Sequence, residues 1–136
     1  MLEWLAPALG FVLLEGALGI TTKLAFRGID WRQLLLWVTV AYVLLAAGFV
    51  AIGGESLPLG AGAGWAALSG LFAAGGLWVF FVALGRGEAS RVVPVTAAYP
   101  VVTVVLAAIF LSEEINAPTV AGTVLVVAGV AILSRD

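Results

Sequence analysis

Residues 34–52 read LLLWVTVAYVLLAAGFVAI, nineteen residues without a single charge. About 20 mostly apolar residues span the hydrocarbon core of a bilayer as a helix. A barrel strand would instead alternate over about ten residues. This stretch is apolar on every face, so it reads as a membrane-spanning helix. Working outward, similar stretches cover about 2–22, 64–84 and 92–111, with a shorter one at 118–133. The expected fold is an all-α integral membrane bundle of five transmembrane helices.

Composition agrees. Of 136 residues, 63% are hydrophobic, and only six are basic and eight acidic. Soluble domains are near one-quarter charged, so these charges are too few to coat a water-soluble globule. There is no Cys, which excludes disulfides, Fe–S clusters and thiol catalysis, and no His, which removes imidazole chemistry. No nucleophile–base pair or metal cluster can be assembled, so an enzyme is not expected and no cofactor is implied. Nothing suggests a nucleic-acid surface.

The connections between spans are short. Arg27-Gly28-Ile29-Asp30 closes the first, with Asp30 an N-cap for the next helix. Gly53-Gly54-Glu55-Ser56-Leu57-Pro58 is a turn cluster. Gly85-Arg86-Gly87-Glu88 ends the third span, and Glu113-Glu114-Ile115-Asn116-Ala117-Pro118 separates the last two. Asn116 is placed to cap, and Pro118 falls early in a helix, where its missing N–H is harmless. The expectation is one domain over residues 1–136. The first span has no basic residue before it, carries an acid, Glu3, at its very start, and is too long for a cleaved signal.

The basic residues are strongly biased. With five crossings, Lys23, Arg27, Arg32, Arg86, Arg91 and Arg135 all fall on one side, and none falls on the other. The positive-inside rule makes that side cytoplasmic, with the N-terminus outside and the C-terminus inside. Trp4, Trp31 and Trp65 lie near span ends and read as interfacial anchors.

Among the acids, Glu15 alone falls inside a span. A carboxylate at bilayer depth costs roughly 2.5–3.5 kcal/mol on the insertion scale, and such groups mark ion pathways by default. It should face the bundle interior or a wet cavity. A carboxyl that exchanges a proton for a cation has the minimum chemistry of an antiporter. The bland reading is a fixed ion pair with Arg86 or Arg91, or a hydrogen bond between helices. Gly19 and Thr22 follow on the same helical face, with Gly16 and Ala17 leaving room beside it.

Other features are less pointed. Trp78, Phe80 and Phe81 could line a path and meet a cation through their ring faces, or simply fill the core. Pro94 and Pro100 interrupt the fourth span, with Thr96, Tyr99 and Thr103 close by, and transporters place substrate at helix breaks of this kind. Ala66, Gly70 and Ala74 recur every four residues, and Gly122 and Gly129 recur at seven. Such spacing reads first as close packing within the chain, with a subunit interface as the alternative.

The run Ala83-Leu84, Gly87, Ala89-Ser90, Val93-Pro94, Tyr99-Pro100-Val101, Leu111-Ser112-Glu113, Gly122 and Ala128-Gly129 resembles the EamA repeat of the drug/metabolite transporter superfamily. Gly16 and Lys23 match that repeat's first-helix pattern. Glu15 stands where the repeat carries a Trp. In this respect the first helix is similar to that of the small multidrug resistance proteins, in which a Glu followed eight residues later by a Lys binds protons or cationic substrate.

The resemblance implies a five-helix repeat of a secondary transporter in the cell membrane, moving small organic metabolites or amphipathic cations by proton-coupled export. With the residue readings above, the expected site is Glu15, Gly19, Thr22, Trp78, Thr96 and Tyr99, with the helix kinked at Pro94 and Pro100. Partners would be the lipid bilayer, protons, a small-molecule substrate and a second repeat, in a homodimer or in a heterodimer with a similar subunit. An antiparallel homodimer conflicts with the one-sided charge, which opposes dual insertion. The competing class is a non-transporting assembly or scaffold subunit, or a half-transporter that needs an oppositely oriented partner.

Overall fold

The computed structural model describes residues 3–54 and 59–134. The turn at Glu55–Pro58, the basic residue Arg135 and the expected start of the first span at Leu2 lie outside the described residues. The elements are α1 (Leu5–Ala25), α2 (Trp31–Gly53), α3 (Ala63–Arg86), α4 (Ala89–Thr96), α5 (Tyr99–Leu106), a π-helical turn (Ala107–Leu111) and α6 (Ala117–Leu133). Among the described residues there is no strand.

Four segments are long and apolar enough to cross a bilayer: Leu5–Ala25, Trp31–Gly53, Ala63–Arg86 and Ala89–Leu111. The fifth, α6, has 17 residues. At 1.5 Å per residue that is about 25 Å, a little short of a full hydrocarbon core. Most large apolar side chains point outward, including Leu13, Leu14, Leu44 and Phe72. In lipid such exposure carries no hydrophobic penalty, because the helices already satisfy their own backbone.

Local chemistry explains the helix ends. Asp30 Oδ1 accepts from the backbone N–H of Arg32 at 2.8 Å and of Gln33 at 2.9 Å. Gln33 Oε1 accepts in return from the Asp30 N–H at 3.0 Å. This reciprocal capping box starts α2 at Trp31, three residues earlier than expected. Gly54 closes α2 in the left-handed region, φ 65°, which glycine adopts without a Cβ penalty. Asn116 Oδ1 accepts from the Thr119 N–H at 3.0 Å and caps α6 as expected.

Two compact units emerge, Met1–Arg86 and Gly87–Asp136. In the first, α3 packs against both α1 and α2. Its buried residues are Gly19, Thr22, Leu34, Phe81 and Leu84. They belong to the C-terminal part of α1, the start of α2 and the last turns of α3, so the packed core sits at the end carrying Lys23, Arg27, Arg32 and Arg86. In the second unit α6 packs against α4 and α5, and no described residue is buried.

The fourth span is interrupted rather than simply kinked. α4 stops at Thr96 and Ala97-Ala98 form a turn. Pro100 lies in the first turn of α5, while Pro94 lies inside α4 as its sixth residue. The reason is that the helix begins at Ala89 instead of 92, which moves Pro94 out of the first turn. Pro100 has no N–H for the Thr96 carbonyl and is tolerated where a helix starts, so the chain restarts there. The span ends in the π turn, after which Ser112 adopts φ 54°.

Within the first unit the small-residue stripe of α3 takes no part in helix packing. Ala66, Gly70 and Ala74 are all exposed, and a Cβ on Gly70 would meet nothing within 4 Å. α1 and α2 pack against α3 without covering this stripe, which leaves it open. On α6, Gly122 is likewise open.

Candidate functional site

Glu15 is the central residue of α1, and Gly19 and Thr22 follow it one and two turns on. Both are buried, Thr22 to 1% exposure, where α1 meets α3. At this level Lys23 Nζ donates to the carbonyl oxygen of Leu84, and Gly85 comes within 3.9 Å of the Phe26 ring when a Cβ is built on it. The C-terminal ends of α1 and α3 are therefore held together. Glu15 lies seven residues before Thr22, roughly 10 Å along the axis, and is exposed. Within its own unit no helix packs over Glu15. The seam closes at the Lys23 end and leaves the carboxyl uncovered.

Within its own unit Glu15 has no hydrogen bond or ion pair among the described residues. Arg91, one candidate for a fixed pair with it, sits 3.6 Å from the Glu88 carboxylate. The stripe below Glu15 has one unusual polar atom. Thr22 Oγ1 is buried with no hydrogen-bond partner among the described residues. Threonine in a helix can bond the carbonyl four residues back, as Thr21 does to Ala17 at 2.9 Å. Thr22 does not, so its hydroxyl is left unsatisfied inside the packed seam.

Trp78 is 49% exposed, and its ring lies 6.4 Å from that of Trp31, tilted by 38°. Phe81 is fully buried and fills the core beside Phe80. Of the three aromatic candidates, Trp78 thus keeps an open ring face and Phe81 does not. The Trp31–Trp78 pairing had no signal in the sequence, since it depends on the register of α2 against α3. Gln33, by contrast, was legible: an Asp followed three residues later by Gln is the sequence form of a capping box.

Thr96 and Tyr99 belong to the second unit and flank the break in the fourth span. Thr96 Oγ1 reaches the carbonyls of Val92 at 3.0 Å and Val93 at 2.9 Å. Its hydroxyl hydrogen is thus engaged locally, which leaves the oxygen as an acceptor. Tyr99 is exposed, and its carbonyl accepts from Thr103 Oγ1 at 3.4 Å. The acids Glu113 and Glu114 lie in an exposed irregular segment, as expected of a solvated turn.

Four helices long and apolar enough to cross a bilayer, with a shorter apolar fifth, define a multi-pass membrane protein. The sequence profile of the EamA-like transporter family matches residues 3–135, and the chain belongs to that family, within the drug/metabolite transporter superfamily. The family's proteins are membrane transporters of small molecules. Over 70 residues, 52% of this chain, the sequence is 36% identical to an uncharacterized protein of Methanocaldococcus jannaschii. That match covers 51% of the relative, so the two share about half of its length. No solved structure matches.

Proposed function

We propose that residues 1–136 act as one five-helix EamA-like repeat of a secondary transporter, with Glu15 as the site that binds either a proton or a cationic substrate. The observation that carries this reading is the position of Glu15. It is a mid-span carboxyl on the open continuation of a helix seam, unpaired within its own unit. An acid left in a membrane without a base must be neutral or hold a cation, and exchange between those two states is proton-coupled antiport. The unsatisfied hydroxyl of Thr22 and the half-exposed ring of Trp78 are the further groups assigned to the site. Thr96 and Tyr99, in the second unit at the break between Pro94 and Pro100, are taken by themselves as further acceptors for substrate.

Closure at the Lys23–Leu84 end and openness at Glu15 correspond to one state of an alternating-access cycle. On the positive-inside rule the closed, basic end is taken as cytoplasmic, and on that reading Glu15 opens outward, as a proton-driven exporter requires after releasing substrate. A complete path needs a second repeat, from another copy or a similar subunit. The uncovered Ala66, Gly70 and Ala74 stripe supports close helix association with it. The same stripe favours a second reading, a half-transporter or assembly subunit that does not itself transport.

The test is proton release by purified protein when a lipophilic cation such as tetraphenylphosphonium is added. One proton is expected per bound cation in the wild type and none in Glu15→Gln. Cation binding with unchanged proton release in Glu15→Gln would exclude the carboxyl as the exchange site. No binding by either protein, with the fold intact, would favour the assembly reading.

A further inference from the structure

Two hollows in the first unit adjoin each other. One, of about 400 Å³, lies at the turn between α1 and α2, bordered by Phe26, Gly28, Ile29, Trp31 and Gly85. The other, of about 300 Å³, runs along the first half of α2 past Leu36, Trp37 and Val40. Ile29 and Gln33 line both, so the two form one continuous groove. Its character changes along its length. Gln33, Leu36, Trp37 and Val40 are spaced by three, one and three residues, which is one helical face. That face descends roughly 10 Å from the turn and is apolar beyond Gln33.

The charges gather at the other end. Arg27 adjoins Phe26 and Gly28 in the chain, Arg32 lies between Trp31 and Gln33, and Arg86 follows Gly85. All three arginines are exposed, and within this unit none forms an ion pair among the described residues. Arg32 stacks over the Trp31 ring at 5.1 Å. The acid bordering the hollow, Asp30, has its Oδ1 taken by two backbone N–H groups of α2. The one charged residue lining the hollow itself is Asp30, and the three arginines each adjoin a lining residue in the chain.

We infer that this groove binds one anionic phospholipid, its phosphate at the turn among Arg27, Arg32 and Arg86 and an acyl chain along Leu36, Trp37 and Val40. A basic mouth at headgroup level that leads into an apolar groove at hydrocarbon level matches a lipid's own division into two parts. A soluble anion would use the mouth and leave the groove without a purpose. A second copy of this chain would bring three further arginines against these three, a like-charge contact that disfavours docking. The site is separate from Glu15 and stands whether or not Glu15 carries protons.

Trp37 makes the test direct. Full-length protein in phosphatidylcholine vesicles is titrated with phosphatidylglycerol brominated on its acyl chains, which quenches nearby tryptophan fluorescence, and separately with brominated phosphatidylcholine. Near a charged surface each arginine is worth about fivefold in affinity, so Arg27 and Arg86 together contribute roughly thirtyfold. The expected result is at least that preference for phosphatidylglycerol, reduced roughly thirtyfold in Arg27→Gln/Arg86→Gln and retained in Arg27→Lys/Arg86→Lys. Most of the quenching difference should disappear in Trp37→Phe. Unchanged selectivity in the charge-neutral variant overturns the proposal, as does an unchanged difference in Trp37→Phe. Displacement by inorganic phosphate as effectively as by lipid would mean an anion site only, and would also overturn it.

Discussion

Lys23 Nζ donates a hydrogen bond to the carbonyl oxygen of Leu84, 61 residues away in the chain. The last four carbonyls of a helix have no intrahelical donor, and Leu84 lies within that last turn of α3. Lys23 supplies the missing donor from the last turn of α1, where a positive charge also complements the helix dipole. One side chain thus completes two helix ends and fixes where their seam closes.

Replacing Lys23 by Met, which keeps the length of the stem, should therefore loosen that end. A hydrogen bond from a charged donor contributes about 1.5–3 kcal/mol, and a loss of that size is expected in denaturant unfolding in detergent. Spin labels at Phe26 and Gly85 should show a wider distance distribution. An unchanged distribution would mean that apolar packing alone holds the ends together.

Thr22 makes the opposite prediction for stability. Thr22→Val keeps the shape and removes a buried hydroxyl that has no partner among the described residues. Stability should rise by about 1–2 kcal/mol. Cation binding should weaken severalfold, since the hydroxyl lies on the Glu15 stripe. A gain in stability with unaltered binding would make Thr22 a packing residue and nothing more.

Phe81 and Trp78 lie one turn apart on α3 but differ in burial. Phe81→Ala should cost about 3–5 kcal/mol of stability through the cavity left behind. Trp78→Ala gives up chiefly its ring contact with Trp31, worth about 1 kcal/mol. Its larger effect is expected on cation binding. Equal destabilisation by the two substitutions would contradict this division of labour.

The chain has no cysteine of its own, so single introduced thiols report topology cleanly. Gly28→Cys, in the basic first loop, should react with an impermeant maleimide only when the reagent reaches the cytoplasmic face. Glu114→Cys should react only from outside. The reverse pattern would invert the orientation that the arginines imply, and labelling of both from one side would remove one crossing.

The five apolar stretches were legible in the sequence because lipid selects on composition alone: nineteen uncharged residues at 34–52 must sit in hydrocarbon whatever their neighbours are. The caps at Asp30 and Asn116 were legible too, since each acts on backbone within three residues of itself. Glu15 stood out for the same reason, as a charge where the solvent tolerates none. The placement of the prolines was not legible. A proline lacks its N–H equally at a helix start and in its interior, and only the actual start at Ala89 decides which of the two positions Pro94 holds. Nor could the sequence say that the α1 seam closes at Thr22 and opens at Glu15, that Phe81 is buried while Trp78 is not, or that Lys23 meets Leu84. Those facts depend on the axial register and rotation of α1 and α2 against α3. Lipid solvates all faces of an apolar helix nearly equally, so hydropathy carries little information about rotation, and packing between helices has to supply it.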